Sequence, residues 1–351
     1  DNLTNEINAE LKEISKSLLI DDRIEVMATK NAFITLKDHK ENFDSNPKCR
    51  LLNPTKSELG KVSKVILDTI NDNIRSTINV NQWKNSQSVI EWFKAIDNKP
   101  SHTFLSFDIV EFYPSISEEL LDRVISWAKS VTTISDEHIK VIKHARKSLL
   151  FNNNKTWVKR ENDSLFDVAM GSYDGAEICE LVGLYILNQL KVKFQGADVG
   201  LYRDDGLVLL NSVNGRTADK ARKDLHELFH QMSLKITAKV ENQKVNFLDI
   251  TLNLKNEIYS PYRKPNNDPL YVDSRSNHPP SIIKQIPISV NKRISSLSSD
   301  QTSFNSSAPF YENALRRSHY NTKMKYSTDP TSNPTPSKRK RYRNILWFNP
   351  P

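Results

Sequence analysis

Two adjacent aspartates, Asp204 and Asp205, are the residues whose type and spacing point most directly to chemistry. They stand between the apolar segments 200–202 and 206–210, a pattern that predicts a buried β-hairpin with both acids at its turn. Two carboxylates that are held together and partly out of water are costly unless a cation neutralises them. The pair therefore predicts a site for a divalent metal ion.

A third carboxylate, Asp108, lies far upstream, at the end of the apolar segment 104–109 and shortly before Phe112 and Tyr113. An Asp-Asp dipeptide alone carries little information, because most such pairs lie in solvated turns. The tyrosine two residues before Asp204, the apolar flanks and the upstream aspartate make the combination far more specific. Three acids gathered at one place could chelate two metal ions, and oxygen ligands suit the hard ion Mg²⁺.

The segments Phe-Asp-Ile-Val-Glu-Phe-Tyr-Pro-Ser at 107–115 and Tyr-Arg-Asp-Asp at 202–205 resemble the two catalytic motifs of reverse transcriptases, and the likeness extends over residues 31–254. It implies an α+β fold shaped like a right hand, with fingers, a ferredoxin-like split β-α-β-β-α-β palm and a small thumb. The implied activity is RNA-directed DNA synthesis, in which dNTPs are added to a primer 3′-hydroxyl on an RNA template. Two Mg²⁺ ions about 3.5–4 Å apart serve such a reaction, and Mn²⁺ could replace them.

The resemblance also implies roles for the residues around the acids. Asp108 and Asp204 would be the principal metal ligands, the main-chain carbonyl of Ile109 would assist, and Asp205 would take part less directly. All three aspartates would be catalytic. Tyr113 matches the aromatic residue that lies under the incoming sugar and excludes a 2′-hydroxyl. The alternative for Tyr113 is a core aromatic, because paired aromatics usually pack in cores.

Contacts to the incoming dNTP are implied for a further set of residues, namely Lys37, Arg50, Met170, Gly171 and Lys239. Arg50 is a stronger candidate than Lys37, because it stands in a predicted apolar strand where an unpaired guanidinium would be costly. One of Lys235, Lys239 and Lys244 could protonate the departing pyrophosphate, and we favour Lys239. A solvated charge is the plain alternative for each surface lysine.

Contacts to template or primer are implied for His39, Lys40, Gly175, Tyr202, Phe247 and Leu248. Phe247 and Leu248 match the arm that seats the primer terminus, although their alternating pattern would equally suit a core strand. Asp174 and Glu177 depart from the family pattern, because acids beside a phosphate backbone are unexpected. A favourable charge at a helix N-terminus is the alternative explanation for them.

Charge and cysteine content exclude some classes of protein. The net charge is +8, but the residues from Asn321 onward hold seven Lys and Arg against Asp329, so the remainder carries only +2. Overall charge is thus a weak argument for nucleic-acid binding. Cys49 and Cys179 lack the spacing of a disulfide framework or zinc site, which fits an intracellular, reducing compartment. Without an apolar run of 18 residues or a signal-peptide pattern, we expect no membrane partner. The oligomeric state is not indicated.

Hydrophobic periodicity predicts the elements that must position these residues. Before residue 103 we expect an amphipathic helix at 3–18, a hairpin of strands 31–36 and 50–52, a helix capped by Ser57 and a helix at 89–96. From residue 103 we expect a strand at 104–109, helices at 118–129, 176–190 and 217–232, a hairpin around Asp204, a strand at 234–238 and a hairpin arm at 245–254. The predicted domains are fingers (1–102), palm (103–257, with a helical fingers insertion at about 130–165), a thumb-like segment (258–320) and a basic linker or tail (321–351).

Several motifs resemble one branch of the family, the polymerases of Penelope-like retroelements. They are the segments 37–40, 263–265 and 347–351, Tyr271, and His278 with Pro279. In those elements a GIY-YIG nicking endonuclease commonly follows the polymerase. The basic run 338–343 would suit nuclear import, with a solvated linker as the alternative. Two other functions stay open: a domesticated nucleic-acid-binding protein without polymerase activity, and an RNA-dependent RNA polymerase.

Overall fold

The structure, a computed structural model, describes residues 2–24, 30–36, 43–54, 57–153, 155–158, 165–211, 214–265 and 268–328. The helices are α1 (Asn2–Ser17), α2 (Leu59–Thr77), α3 (Ser86–Ala95), α4 (Phe112–Ser115), α5 (Glu118–Val131), α6 (Asp136–His144), α7 (Gly175–Lys193), α8 (Gly215–Gln231), α9 (Pro280–Ser296) and α10 (Gln301–Arg317). The strands are β1 (Phe33–Leu36), β2 (Cys49–Leu52), β3 (Asn81–Gln82), β4 (His102–Ile109), β5 (Leu150–Asn152), β6 (Lys155–Trp157), β7 (Asp198–Tyr202), β8 (Asp205–Asn211), β9 (Ile236–Asn242), β10 (Lys244–Phe247), β11 (Ile250–Asn253) and β12 (Ile258–Pro261).

The chain divides into two compact units. The first unit comprises Asp1–Trp83 and Thr103–Glu241, and the second comprises Lys84–His102 and Asn242–Pro351. This division places α3 with the C-terminal residues, although the sequence predicted it as part of an N-terminal lobe. The labels fingers, palm and thumb stay predictions.

A five-stranded sheet with the order β3-β7-β8-β4-β9 forms the centre of the first unit. Taken along the chain, β4, helices up to α7, the antiparallel hairpin β7–β8, α8 and β9 form a β-α-β-β-α-β unit. The spatial order β9-β4-β8-β7 is that of a ferredoxin-like sheet. The predicted split pattern is therefore confirmed, and β3 adds a short parallel strand beside β7.

Helix α7 lies at the core of this unit and is buried along most of its length up to Leu190, as its largely apolar sequence requires. Helices α2 and α5 pack against it. On the sheet, the ring of Phe107 packs against Phe229 of α8, with ring centroids 5.3 Å apart. Each such fully buried side chain stabilises the fold by about 1.5–3 kcal/mol relative to exposure.

Two glycines in the β7–β8 hairpin make room for aromatic rings from neighbouring segments. A Cβ atom at Gly206 would overlap the ring of Phe107, and one at Gly200 would overlap the ring of Trp83. Gly206 therefore leaves room for the Phe107 ring of β4, the neighbouring strand of the same sheet.

The periphery of the first unit differs in three details from the sequence predictions. The helix after Ser57 has Glu58 at its N-cap position and no side-chain capping bond, so capping by Ser57 was wrong. The insertion between α5 and α7 contains α6 and also the antiparallel hairpin β5–β6, so it is not wholly helical. The predicted β1–β2 hairpin is present, but Phe33, Ile34, Leu36 and Leu51 in it are exposed.

The second unit combines α3, the antiparallel sheet β10-β11-β12 and the helices α9 and α10. Phe93 of α3 packs edge-on against Tyr259 of β12, with centroids 6.4 Å apart. Val290, Ile294, Phe304 and Leu315 join α9 to α10. Among the described residues, no helix has the length and apolar character needed to cross a membrane.

Candidate active site

The two adjacent aspartates lie at the tip of the β7–β8 hairpin. Tyr202 pairs with Asp205, so that Arg203 and Asp204 form a two-residue turn. Arg203 has φ = 54°, a left-handed conformation that costs free energy in a residue with a Cβ. Its guanidinium lies 5.6 Å from the centroid of the Tyr202 ring, within reach of a cation–π contact. The turn thus holds Asp204 in a defined direction.

Asp108 lies on the neighbouring strand, next to this turn. The main-chain N–H of Ile109 donates a hydrogen bond of 2.9 Å to the carbonyl oxygen of Asp204. This bond places the C-terminal end of β4 directly beside the hairpin tip. The side chain of Asp108 is exposed, whereas Asp204 and Asp205 are half-buried. The structure therefore brings the three acids to one edge of the sheet, where Asp108 faces solvent.

The carboxylates do not form a ready-made metal cage. Among the described residues, no three His, Cys, Asp or Glu side chains converge closely enough to hold an ion by themselves. The predicted chelation by three acids is therefore not preformed. Mg²⁺ commonly binds through one or two carboxylates together with waters and substrate phosphates, so the donors at this edge still fit this ion.

Tyr113 lies beside this edge on the short helix α4. Glu111, with φ = 49°, turns the chain sharply between β4 and α4. A Cβ atom at Gly175 of α7 would lie 3.5 Å from Cε1 of the Tyr113 ring. Burial, together with the neighbouring Cys179 thiol, raises the pKa of Tyr113 to about 12. Tyr113 is half-buried, so it contacts the core and also presents surface.

The loop before α7 contains the predicted dNTP residues Met170 and Gly171. Met170 is half-buried, and Gly171 is exposed with φ = 104°, which favours glycine. A Cβ atom at Gly171 would lie 3.4 Å from the carbonyl oxygen of Asn53. Gly175 allows the close approach of Tyr113 and of the carbonyl of Ala169. The loop therefore lies next to Tyr113.

The unexpected acids of this loop are bound to cations. Asp174 is fully buried and accepts a hydrogen bond from the fully buried guanidinium of Arg146. Glu177, which is nearly buried, pairs with Lys64 of α2. Both carboxylates are buried and paired with cations, so neither lies on the surface, where it would repel a phosphate backbone. The buried Arg146–Asp174 pair thus fixes the position of the first residues of α7.

Sequence reasoning missed Arg146 because its partner lies 28 residues away and each charge alone resembles a solvated one. A signal was available. Helix α7 is largely apolar and is expected to be buried, so an acid at its N-cap position needs a buried cation.

Two lysines in and just before β9 lie on the other side of β4. The carbonyl of Lys235 accepts a 2.9 Å hydrogen bond from the N–H of Val110, so Lys235 lies beside the end of β4. Lys239 lies further along, within β9, where its Nζ is 3.0 Å from Oε2 of Glu241. Its side chain is 74% exposed. The predicted leaving-group lysine is therefore paired with an acid in this structure.

The structure describes only part of the N-terminal segment that was predicted to contact the dNTP and the template. Lys37, His39 and Lys40 lie outside the described residues. Arg50 is exposed in β2, so the argument that burial requires a partner for it was wrong. An exposed guanidinium can still meet a phosphate, and this role rests on the family resemblance.

The predicted primer arm lies in the second unit. Phe247 is 5% exposed and belongs to the core of that unit, as its alternating pattern allowed. Leu248 is half-buried in the two-residue turn between β10 and β11, with φ = 53°. If this arm contacts the primer, the residues of the turn would therefore make the contact, and the buried ring of Phe247 would not.

Comparisons with known proteins concern the fold. No known family model and no curated protein matches the sequence. Apo telomerase from Candida Tropicalis is 12% identical, with a TM-score of 0.51 over 89% of this chain and 61% of that chain. The RNA-dependent RNA polymerase of a human picorbirnavirus, as an insertion loop deletion mutant, is 10% identical, with a TM-score of 0.50 over 83% of this chain and 61% of that one. The chain spans about three fifths of the length of these proteins. At such identities the likeness shows that the fold is a polymerase-like α+β fold.

Proposed function

We propose that this chain is a template-directed nucleic-acid polymerase, and specifically a reverse transcriptase that adds dNTPs to a primer 3′-hydroxyl on an RNA template. One observation carries the proposal. The strand β4, which carries Asp108 next to its last residue, is hydrogen-bonded through Ile109 to the turn that presents Asp204, within a β-α-β-β-α-β sheet. The fold likeness to a telomerase and a viral RNA-dependent RNA polymerase supports it.

Asp108, Asp204 and Asp205 act as the catalytic acids in this proposal, and with the carbonyl of Ile109 they would hold magnesium. When bound, two Mg²⁺ ions would activate the primer hydroxyl and stabilise charge on the transferred phosphoryl group and the departing pyrophosphate. The fixed turn at Arg203 and the bond from Ile109 contribute preorganisation, because they hold two carboxylates on adjacent strands before substrate arrives.

Substrate selection falls to the residues beside the acids. Tyr113 lies under the incoming sugar and excludes a 2′-hydroxyl, while Met170, Gly171 and Arg50 bind the dNTP. Lys37 has the same proposed role. Lys239 protonates the pyrophosphate, which requires it to leave Glu241 when the substrate binds. Template and primer are bound by His39, Lys40, Gly175, Tyr202 and the turn at Phe247–Leu248.

An RNA-dependent RNA polymerase is the second candidate, favoured by the fold likeness to the picorbirnavirus enzyme. Tyr113 supports the choice of dNTPs, because a bulky half-buried ring in contact with α7 is a rigid obstacle to a 2′-hydroxyl. A domesticated protein that only binds nucleic acid is disfavoured by the three intact acids at one sheet edge. We further propose a retroelement of the Penelope-like branch and nuclear localisation through the residues 338–343, which lie outside the described range.

A primer-extension assay tests the proposal. Purified protein is given a DNA primer on an RNA template with Mg²⁺ and either dNTPs or rNTPs. We expect extension with dNTPs and little with rNTPs. A preference for rNTPs would favour the second candidate. Binding of the primer–template without extension by either nucleotide set would support the domesticated alternative. A GIY-YIG module in the downstream reading frame would support the Penelope-like branch.

A further inference from the structure

The turn between β10 and β11 is held by an acid that the proposed function leaves without a role. Phe247 pairs with Ile250, so Leu248 and Asp249 form a two-residue turn, and Leu248 is left-handed. The carbonyl oxygen of Asp249 accepts a 2.8 Å hydrogen bond from the N–H of Tyr262, just after β12. The main chain of the turn is thereby tied to the third strand of its own sheet.

The carboxylate of Asp249 ties the same turn to two helices. Oδ1 accepts a hydrogen bond from the hydroxyl of Ser86, the first residue of α3. Oδ2 accepts from Nη2 of Arg293, near the end of α9. The Asp249 side chain is 28% exposed and that of Arg293 is 67% exposed. Four separate elements therefore meet at one residue of a short turn.

These contacts of Asp249 fix the position of the turn more than they stabilise the folded protein. An ion pair with a largely exposed arginine contributes little to the free energy of folding, because solvent screens it. Charge-assisted hydrogen bonds are nevertheless directional, and each oxygen of Asp249 is bound by a donor on a different helix. Both oxygens are already acceptors, and the carboxylate would repel phosphate. Direct contact of Asp249 with nucleic acid is therefore disfavoured.

We infer that Asp249 is a positioning residue that holds the Leu248–Asp249 turn at a fixed place relative to α3 and α9. This inference rests on the proposed function for its consequence. If the turn contacts the primer, as proposed, loss of the carboxylate charge lets the turn drift and weakens primer binding. The proposed dNTP residues lie elsewhere in the chain, so dNTP binding is not affected.

The test compares Asp249→Asn with a matched control, Asp268→Asn. Asp268 also lies in the second unit, and its carboxylate also accepts from two donors, Arg263 at 2.8 Å and Arg317 at 3.1 Å. We expect Asp249→Asn to raise the primer KM about tenfold, the loss of one charge-assisted hydrogen bond, with the dNTP KM unchanged. Asp268→Asn should leave both constants at the wild-type values. The charge reversal Asp249→Arg with Arg293→Asp should recover part of the loss.

Three results would overturn the inference: wild-type primer KM in Asp249→Asn, equal effects of the two variants, or an unchanged turn. The last is read by hydrogen exchange at the amides of residues 247–250, where Asp249→Asn should exchange at least several-fold faster. Exchange needs no catalysis, so it separates the two claims. If the wild-type protein extends no primer, the proposed function fails together with the primer role. Faster hydrogen exchange in Asp249→Asn would then still support the positioning role of Asp249.

Discussion

The two compact units of this protein differ sharply in charge. The first unit has 30 Lys and Arg against 33 Asp and Glu, whereas the second has 20 against 9. Residues 321–351 contribute +6 of the +11 of the second unit, so the +2 of the remaining chain combines −3 in the first unit with +5 in the second. The acids at the sheet edge lie in the acidic unit. Under the proposed function, the first unit would supply metal-binding chemistry and the second would supply attraction to a polyanion.

One ion pair of the first unit is much more deeply buried than several pairs of the second unit. Arg146 and Asp174 are completely buried at the start of α7, whereas Asp268 with Arg263 and Arg317, and Asp273 with Arg275, are substantially exposed. The first unit also carries exposed pairs, such as Asp219 with Lys223. A buried pair holds its surroundings rigid because breaking it is costly, whereas exposed pairs exchange readily with solvent. The Arg146–Asp174 pair therefore fixes local geometry in the first unit.

The largest expected effect comes from removing the acids of the first unit. The double variant Asp204→Ala, Asp205→Ala should lower the rate of primer extension on the order of 1,000-fold, because metal ions contribute several kcal/mol of transition-state stabilisation. Primer–template binding should persist, since the second unit keeps its positive charge. Extension rates and filter binding measure the two effects. Asp198→Ala, at the far end of the same hairpin, is the control. Extension that survives the double change would refute the assignment of the acids.

The next largest effect concerns stability. Asp174→Asn leaves a buried guanidinium with no charged partner, and we expect the free energy of unfolding to fall by about 3–5 kcal/mol. Asp268→Asn in the second unit should cost about 1 kcal/mol or less, because its pairs are exposed. Urea denaturation followed by circular dichroism compares them. Equal losses in the two variants would contradict the contrast between buried and exposed pairs.

Tyr113 allows a test of substrate choice within the first unit. Tyr113→Ala should improve use of rNTPs relative to dNTPs by roughly 10–100-fold, because the ring no longer occupies the space of a 2′-hydroxyl. Tyr113→Phe keeps the ring and should retain discrimination. The ratio of kcat/KM for rNTPs and dNTPs measures the change. Unchanged selectivity in the alanine variant would favour the core-packing explanation of Tyr113.

The same residue has a pH signature. Burial raises the pKa of folded Tyr113 to about 12 from an ordinary value of 10, so the folded state holds the phenolic proton more tightly than the unfolded state does. Stability should therefore fall as pH rises from about 10 to about 12. Tyr113→Phe should reduce this alkaline loss. Unfolding curves at pH 9 and above provide the measurement, and an identical alkaline loss in both proteins would argue against a buried phenol.

The smallest expected effect tests the basic surface. Lys264→Ala with Lys284→Ala, both exposed in the second unit, should weaken nucleic-acid binding and reduce the slope of log K against log salt by about 0.7–0.9 for each phosphate that the protein no longer neutralises. Arg216→Ala with Lys220→Ala, exposed on α8 of the first unit, is the matched control and should leave the slope unchanged. A larger loss of affinity in the α8 variant would reverse the assignment of the two units.

The order of strands and helices from β4 to β9 followed from the sequence because each element carries its own periodic signal. Apolar runs bounded by acids or glycines predicted the strands, and 3.6-residue spacing predicted α5 and α8. The positions of Asp108 and Asp204 at strand ends followed from the same signals. The adjacency of those ends required the ferredoxin-like pattern as well, since no local feature of either segment encodes the bond from Ile109 to Asp204.

The sequence could not show which residues far apart along the chain pair with each other. Arg146 and Asp174, Lys64 and Glu177, and Asp249 with Arg293 are each separated along the chain, and a charge carries no mark of its partner. The grouping of α3 with the second unit could not be seen for the same reason, because the contact of Phe93 with Tyr259 joins distant segments. Arg50 was misjudged because its apolar neighbours lie on an exposed hairpin and not in a core.

Gly206 gives the hairpin an unusual vulnerability. Its missing side chain is the space that the Phe107 ring occupies, one residue before Asp108. Alanine, the smallest chiral replacement, would force either the ring or the strand outward and so shift a carboxylate that it never touches. Under the proposed function, Gly206→Ala, which adds a single methyl group and alters no charge, should therefore lower primer extension.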